Sequence, residues 1–85
     1  MARILIADDD PGILKLMAMI LTKAGHTVAT CASGSDTLKK IGLKPEDACV
    51  ELPDLIVLDI MMPKLDGYLV GQLIRGDSRT RAIPI

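Results

Sequence analysis

Eighty-five residues leave room for one small domain and no second one. Ten basic residues against eleven acidic ones, with no basic run, exclude the phosphate-neutralising surface that nucleic-acid binding needs, and the longest apolar stretch falls far short of a membrane span. Apolar residues at 49% and charged residues at 25% describe a folded chain, whose core must be aliphatic because Tyr68 is its sole aromatic residue.

Residues 3–7 are Ile- and Leu-rich and predict a buried parallel strand close to the N-terminus. Only four apolar residues separate Arg3 from three aspartates, which is no signal peptide and places the chain in the cytoplasm. Asp8, Asp9 and Asp10 form the following turn, with Asp10 as N-cap and Pro11 at the first helical position, where its missing N–H is harmless. Over 11–24, Ile13, Leu16, Met17, Ile20, Leu21 and Ala24 recur at helical spacing and predict the buried stripe of a first helix, stopped by Gly25. His26 follows as a turn residue at the end of the sheet remote from the aspartates.

Residues 27–31 predict a second strand, and 33–41 a shorter helix closed by Gly42, with Leu38 and Ile41 inward. The stretch 44–52 is long for a helix-to-strand connection, and Pro45, Glu46 and Asp47 allow a short helical turn within it. A third strand is expected over 55–58, ending at Asp59. From Asp66 or Gly67 to about Arg75 a third helix buries Leu69, Val70, Leu73 and Ile74, weakened by Gly71. After a polar loop, 82–85 reads as the opening of a fourth strand. Cys31 and Cys49 do not make a disulfide framework and are expected as reduced, buried or half-buried thiols.

The chemistry lies in the aspartates. An open α/β sheet binds ligands beyond the carboxyl ends of its strands. There Asp8, Asp9 and Asp59 would repel one another unless a cation joined them. With no His or Cys nearby in sequence, oxygen-only ligation points to Mg2+, with Mn2+ as the alternative, and away from zinc. Beside such a cation Asp59 could attack a phosphoryl donor. Helix capping is the plainer role for Asp8 and Asp10.

The segments Ile4-Leu5-Ile6-Ala7-Asp8-Asp9-Asp10-Pro11 and Pro53-Asp54-Leu55-Ile56-Val57-Leu58-Asp59-Ile60-Met61-Met62-Pro63-Lys64-Leu65-Asp66-Gly67 resemble the receiver domain of bacterial two-component response regulators. The polar loop 75–84 is similar to that family as well, so the resemblance spans the chain, residues 1–85, as a partial receiver domain. It implies a flavodoxin-like, doubly wound parallel α/β sheet of order 2-1-3-4-5, here truncated in the fourth strand. It further implies that Asp59 accepts a phosphoryl group from a histidine kinase or phosphotransfer protein. Asp8 and Asp9 would be the metal pair, Asp8 partly through water, and the Met61 carbonyl a further Mg2+ ligand. Pro63 and Gly67 would shape the loop, and Asp66 would cap the third helix.

Family members run to about 120 residues in five strands. The switch Ser or Thr and the Lys that contact the phosphoryl group fall beyond Ile85. Self-phosphorylation is therefore the most catalysis expected, with no independent turnover. The alternative is a phosphorylation-incompetent module that acts only through protein contacts. An aspartate-nucleophile phosphatase, suggested by Asp8-x-Asp10, is the weaker match. A bare third strand would expose Leu55, Ile56, Val57 and Leu58 at an edge and invite a homodimer or a domain-swapped assembly.

Overall fold

The central strand β1 (Arg3–Ala7) is apolar at every position after Arg3, and it is buried on both faces. A computed structural model describes residues 1–43, 47, 49–59 and 67–85, with backbone alone for Gly67 and Tyr68. The remaining elements are α1 (Pro11–Lys23), β2 (Thr27–Cys31), α2 (Gly34–Lys40), β3 (Leu55–Leu58) and α3 (Gly67–Gly76). The three strands form one parallel sheet in the order β2-β1-β3. Register runs from Arg3 opposite Thr27 to Ala7 opposite Cys31, and from Ile4 opposite Leu55 to Ala7 opposite Leu58. The start of β3 is pinned reciprocally, since Arg3 N–H donates to Asp54 Oδ2 at 2.8 Å and Asp54 N–H donates to Arg3 O at 2.7 Å.

Strand alternation divides the core into two clusters, one on each face of the sheet. Ile4 and Ile6 pack with Leu14 of α1, joined by Met17, Leu21, Val28, Leu55 and Val57. Leu5, Ala7 and Ile56 pack on the opposite side with Cys31, Leu38, Ile41, Val70 and Ile74. Helices thus cover both faces, which is the doubly wound arrangement.

The helix ends follow the sequence closely. Asp10 Oδ1 accepts from the N–H groups of Gly12 and Ile13 at 2.9 and 3.3 Å. The exit of α1 is a Schellman motif, in which His26 N–H reaches Leu21 O, Gly25 N–H reaches Thr22 O, and Gly25 takes a φ of 96°. Exit from α2 repeats the pattern with Leu43 on Leu38, Gly42 on Lys39, and a φ of 73° at Gly42. The Gly42 carbonyl also accepts from Asp47 N–H and from Arg79 Nη2, so this one residue ties α2 to the loop after α3. That loop is bound closely to the helix before it. Thr80 Oγ1 donates to Ile74 O at 2.6 Å, and Arg75 Nη1 donates to the carbonyls of Arg81 and Ile83.

Several expectations change. The buried side of α1 is Leu14, Met17 and Leu21, whereas Ile13, Leu16 and Ile20 face outward, the last two at 54% and 56% exposure. The apolar arc of this helix is wider than the sheet it covers, so spacing alone could not choose the inward stripe. In α3, Val70 and Ile74 are fully buried but Leu69 and Leu73 are each 43% exposed. Ile56 is fully buried and its three strand neighbours are half-buried, because α2 and α3 cover one face and Pro84 O accepts from Ile56 N–H at 2.9 Å. β3 is the outer strand of the sheet, as expected, but the predicted exposure of its side chains is not what forms. Residues 82–85 make that one strand-like bond without becoming a strand. His26 is half-buried, and its Nδ1 accepts from Ala2 N–H at 3.0 Å, so it ties the N-terminus to the α1–β2 turn. Cys49 is exposed, not buried. The expected turn at 44–46 lies outside the described residues.

Two measurements check this packing. Gly42→Ala would drive a Cβ into the Asp47 carbonyl oxygen at a left-handed φ. It should destabilise the chain by about 3 kcal/mol in urea titration. Burial pushes the Cys31 thiol up to about 11 despite Lys40 nearby. A thiol reagent should therefore label Cys49 at once, and Cys31 only as the chain unfolds.

Candidate metal centre

Ladder bonds at the carboxyl end of β1 bring the two acidic segments together. Asp8 N–H donates to Cys31 O at 3.1 Å on one side, and Asp59 N–H donates to Ala7 O at 2.9 Å on the other. The chain therefore leaves β1 and β3 side by side. One carboxylate oxygen from each of Asp8, Asp9 and Asp59 falls within 4.8 Å of the others. Asp8 and Asp59 are half-buried, while Asp9 is exposed.

The three consecutive aspartates have separate tasks. Asp10 is the cap of α1. Asp8 Oδ1 accepts from Asp10 N–H at 2.9 Å, an Asx-turn that bends the chain from strand to helix. Asp8 thus builds the turn and also lies in the cluster, while the expected capping of α1 falls to Asp10 alone. The Asp-x-Asp spacing is the signal for that turn, and it was legible only as a choice between two roles. The expected ligand Met61, the loop residue Pro63 and the cap Asp66 lie outside the described residues. Gly67 is the first residue of α3.

Electrostatics in the cluster are unfavourable without a cation. The Asp9 carboxyl is held above the usual carboxylate range, first by partial desolvation beside the strand ends. The charge of Asp59, a hydrogen bond with Asp59 and the charge of Asp8 add to the effect. Asp9 is exposed as a whole residue, so its shift reports crowding with the other carboxyls as well as lost water. A raised acid means that the folded chain keeps a proton the unfolded chain has released. Stability from that group is present below the ordinary carboxylate range and is lost as pH rises through the raised one. Three short carboxylates in reach of one point, with no sulfur or imidazole among them, fit a hard divalent cation.

Comparison with known proteins identifies the family and the fold. The family model of the response regulator receiver domain matches residues 4–85. The chain belongs to the response regulator receiver family. It is 44% identical over 86 residues to the DNA-binding dual master transcriptional regulator RpaA of Synechocystis, covering all of this chain and 32% of that protein. Against the alkaline phosphatase synthesis transcriptional regulatory protein PhoP of Bacillus subtilis it is 42% identical, covering 86% of this chain and 28% of that one. The chain thus spans about a third of the length of these curated relatives.

Among solved structures, the N-terminal domain of a response regulator receiver protein from Methanoculleus marisnigri matches with a TM-score of 0.84 and 34% identity. That match covers 99% of this chain and 63% of the other. The response regulator TrrA of Thermotoga maritima, solved in complex with Mg2+ and BeF, matches with a TM-score of 0.74 and 34% identity, over 93% and 63% of the two chains. The fold is accordingly that of the flavodoxin-like receivers. Among the described residues no helix is long and apolar enough to cross a membrane.

Relief of repulsion can be separated from metal binding in one variant. Asp9→Asn should raise the melting temperature of the metal-free chain at pH 7 and flatten its decline above the carboxylate range. The same change should abolish any stabilisation by Mg2+, which for a site that binds the ion should reach about 2.7 kcal/mol at a hundred times its Kd. Thermal melts with and without MgCl2 read both effects.

Proposed function

We propose that this chain is the phosphoacceptor module of a two-component system, with Asp59 receiving a phosphoryl group from a phosphohistidine on a histidine kinase or phosphotransfer protein. The observation that carries this reading is the gathering of Asp8, Asp9 and Asp59 at the carboxyl ends of β1 and β3 in a chain of the receiver family. In the transfer, an Asp59 carboxylate oxygen bonds to phosphorus as the P–N bond of the donor breaks. The imidazole nitrogen keeps the bonding electron pair, and a mixed anhydride remains on Asp59.

Asp8 and Asp9 would hold Mg2+ with Asp59 and the Met61 carbonyl, while Pro63 and Gly67 shape the loop between them. When bound, the ion supplies positive charge against the phosphoryl oxygens and the crowded carboxylates. The ion's field favours the ionised form of Asp9 and so opposes the upward shift that its crowded neighbours impose. Asp8 accepts from Asp10 N–H through Oδ1 and so positions the turn beside the cluster to which it contributes a carboxylate oxygen. Mn2+ fits the same oxygen donors. Such a relay operates in the cytoplasm, and the chemistry calls for no contact with nucleic acid by this segment.

Acetyl phosphate tests the assignment, because the same attack releases acetate in place of imidazole. Incubation with MgCl2, reduction with borohydride and peptide mapping should place the single modification at Asp59. Chelation should lower the yield at least tenfold, consistent with about 1.4 kcal/mol or more of charge stabilisation by the ion. Asp59→Asn should carry no label. Modification at Asp8, or a label that survives Asp59→Asn, would overturn the reading. A chain that binds Mg2+ yet takes no label would be the interaction module.

A further inference from the structure

The two edges of the sheet are closed in different ways. On the outer side of β3, Ile56 N–H donates to Pro84 O at 2.9 Å, so main chain lies along that edge. β2 is the outermost strand on the other side. Thr27 N–H donates to Ala2 O, and Cys31 O accepts from Asp8 N–H, so these two residues turn their backbone groups toward the β1 side. Strand alternation then directs the N–H and C=O groups of Val28 and Thr30 outward.

A charged side chain reaches that edge. Lys40, the last residue of α2, donates from Nζ to Thr30 O at 2.8 Å. Outward N–H and C=O groups on an edge strand are a template for pairing with another strand. Here the pattern is self-complementary. Two copies paired antiparallel about Ala29 would exchange reciprocal bonds, Val28 N–H of each with Thr30 O of the other and Thr30 N–H with Val28 O. Lys40 opposes that ladder twice over. Its ammonium occupies the Thr30 carbonyl, and the symmetry would bring two such ammonium groups together across the new ladder, where like charges repel.

We propose that the outer edge of β2 is a pairing surface for a second copy of this chain, held closed by Lys40. Removing the charge and the donor of that side chain opens the edge, and the two sheets then join into one through their β2 strands. The proposal stands on the sheet and the end of α2, and it is independent of the role of Asp59.

Sedimentation equilibrium and amide hydrogen exchange by NMR test the edge together. Lys40 is exposed, so Lys40→Met leaves the core intact and keeps an apolar stem while removing the ammonium. The association constant for dimerisation should rise about tenfold or more above that of the unmodified chain. As concentration rises, the Val28 and Thr30 amides of this variant should slow by a larger factor than Ile6 in the central strand. Lys40→Arg retains both charge and donors, and Lys39→Met removes the same charge from the adjacent exposed residue. Both should associate no more than the unmodified chain. A Lys40→Met protein that sediments like the unmodified chain would overturn the proposal. So would an equal rise in Lys39→Met, or association that leaves exchange at Val28 and Thr30 unchanged.

Discussion

The whole arrangement depends on β1 being paired on both edges and buried on both faces. Ile4 and Ile6 face α1, Leu5 and Ala7 face α2 and α3, and the strand's backbone is shared between β2 and β3. A strand in that position has no freedom to slip, because a one-residue shift would exchange its two faces. The same ladder continues one bond beyond the strand on each side, through Asp8 N–H and Asp59 N–H. The acidic site is held in place by the most constrained strand of the chain.

That placement works against the electrostatics of the apo protein. Asp8, Asp9 and Asp59 are gathered although their charges repel, and Asp9 responds by holding its proton more tightly. Burial of the central strand outweighs the local repulsion, so the site is built before any ion arrives. This is preorganisation. Carboxylates fixed near one point can bind a cation without first paying for their own ordering. Asp8 and Asp10 add rigidity by spending side-chain oxygens on the backbone of the turn.

At the other end of the sheet, paired charges and backbone hydrogen bonds take over. Gly42 gives its carbonyl to Asp47 and Arg79, while Arg79 also bonds Asp77 and holds that carboxyl below the usual range. Arg3 pairs with Glu51, and His26 Nδ1 receives Ala2 N–H. These bonds close the connections between elements and leave the carboxyl ends of the strands open for chemistry. The connecting bonds and the acidic cluster thus lie at opposite ends of one parallel sheet.

The strands over 3–7, 27–31 and 55–58, the caps at Asp10 and Gly25, and the Asp8, Asp9 and Asp59 trio were all legible from local chemistry. Short aliphatic runs, a cap before Pro11 and acids at strand ends each carry a signal within a few residues. The resemblance of the segment around Asp59 to the receiver family added an expected role for each acid. What the sequence could not decide was which apolar residues turn inward when a helix has more of them than its face can use. Ile13, Leu16 and Ile20 share helical spacing with Met17 and Leu21, and only the position of α1 over Ile4 and Ile6 separates the two sets. His26 was equally illegible, since its partner is Ala2, twenty-four residues away. Periodicity reports that a helix or strand has an apolar face. Which part of that face is buried is settled by the neighbours that the tertiary fold brings against it.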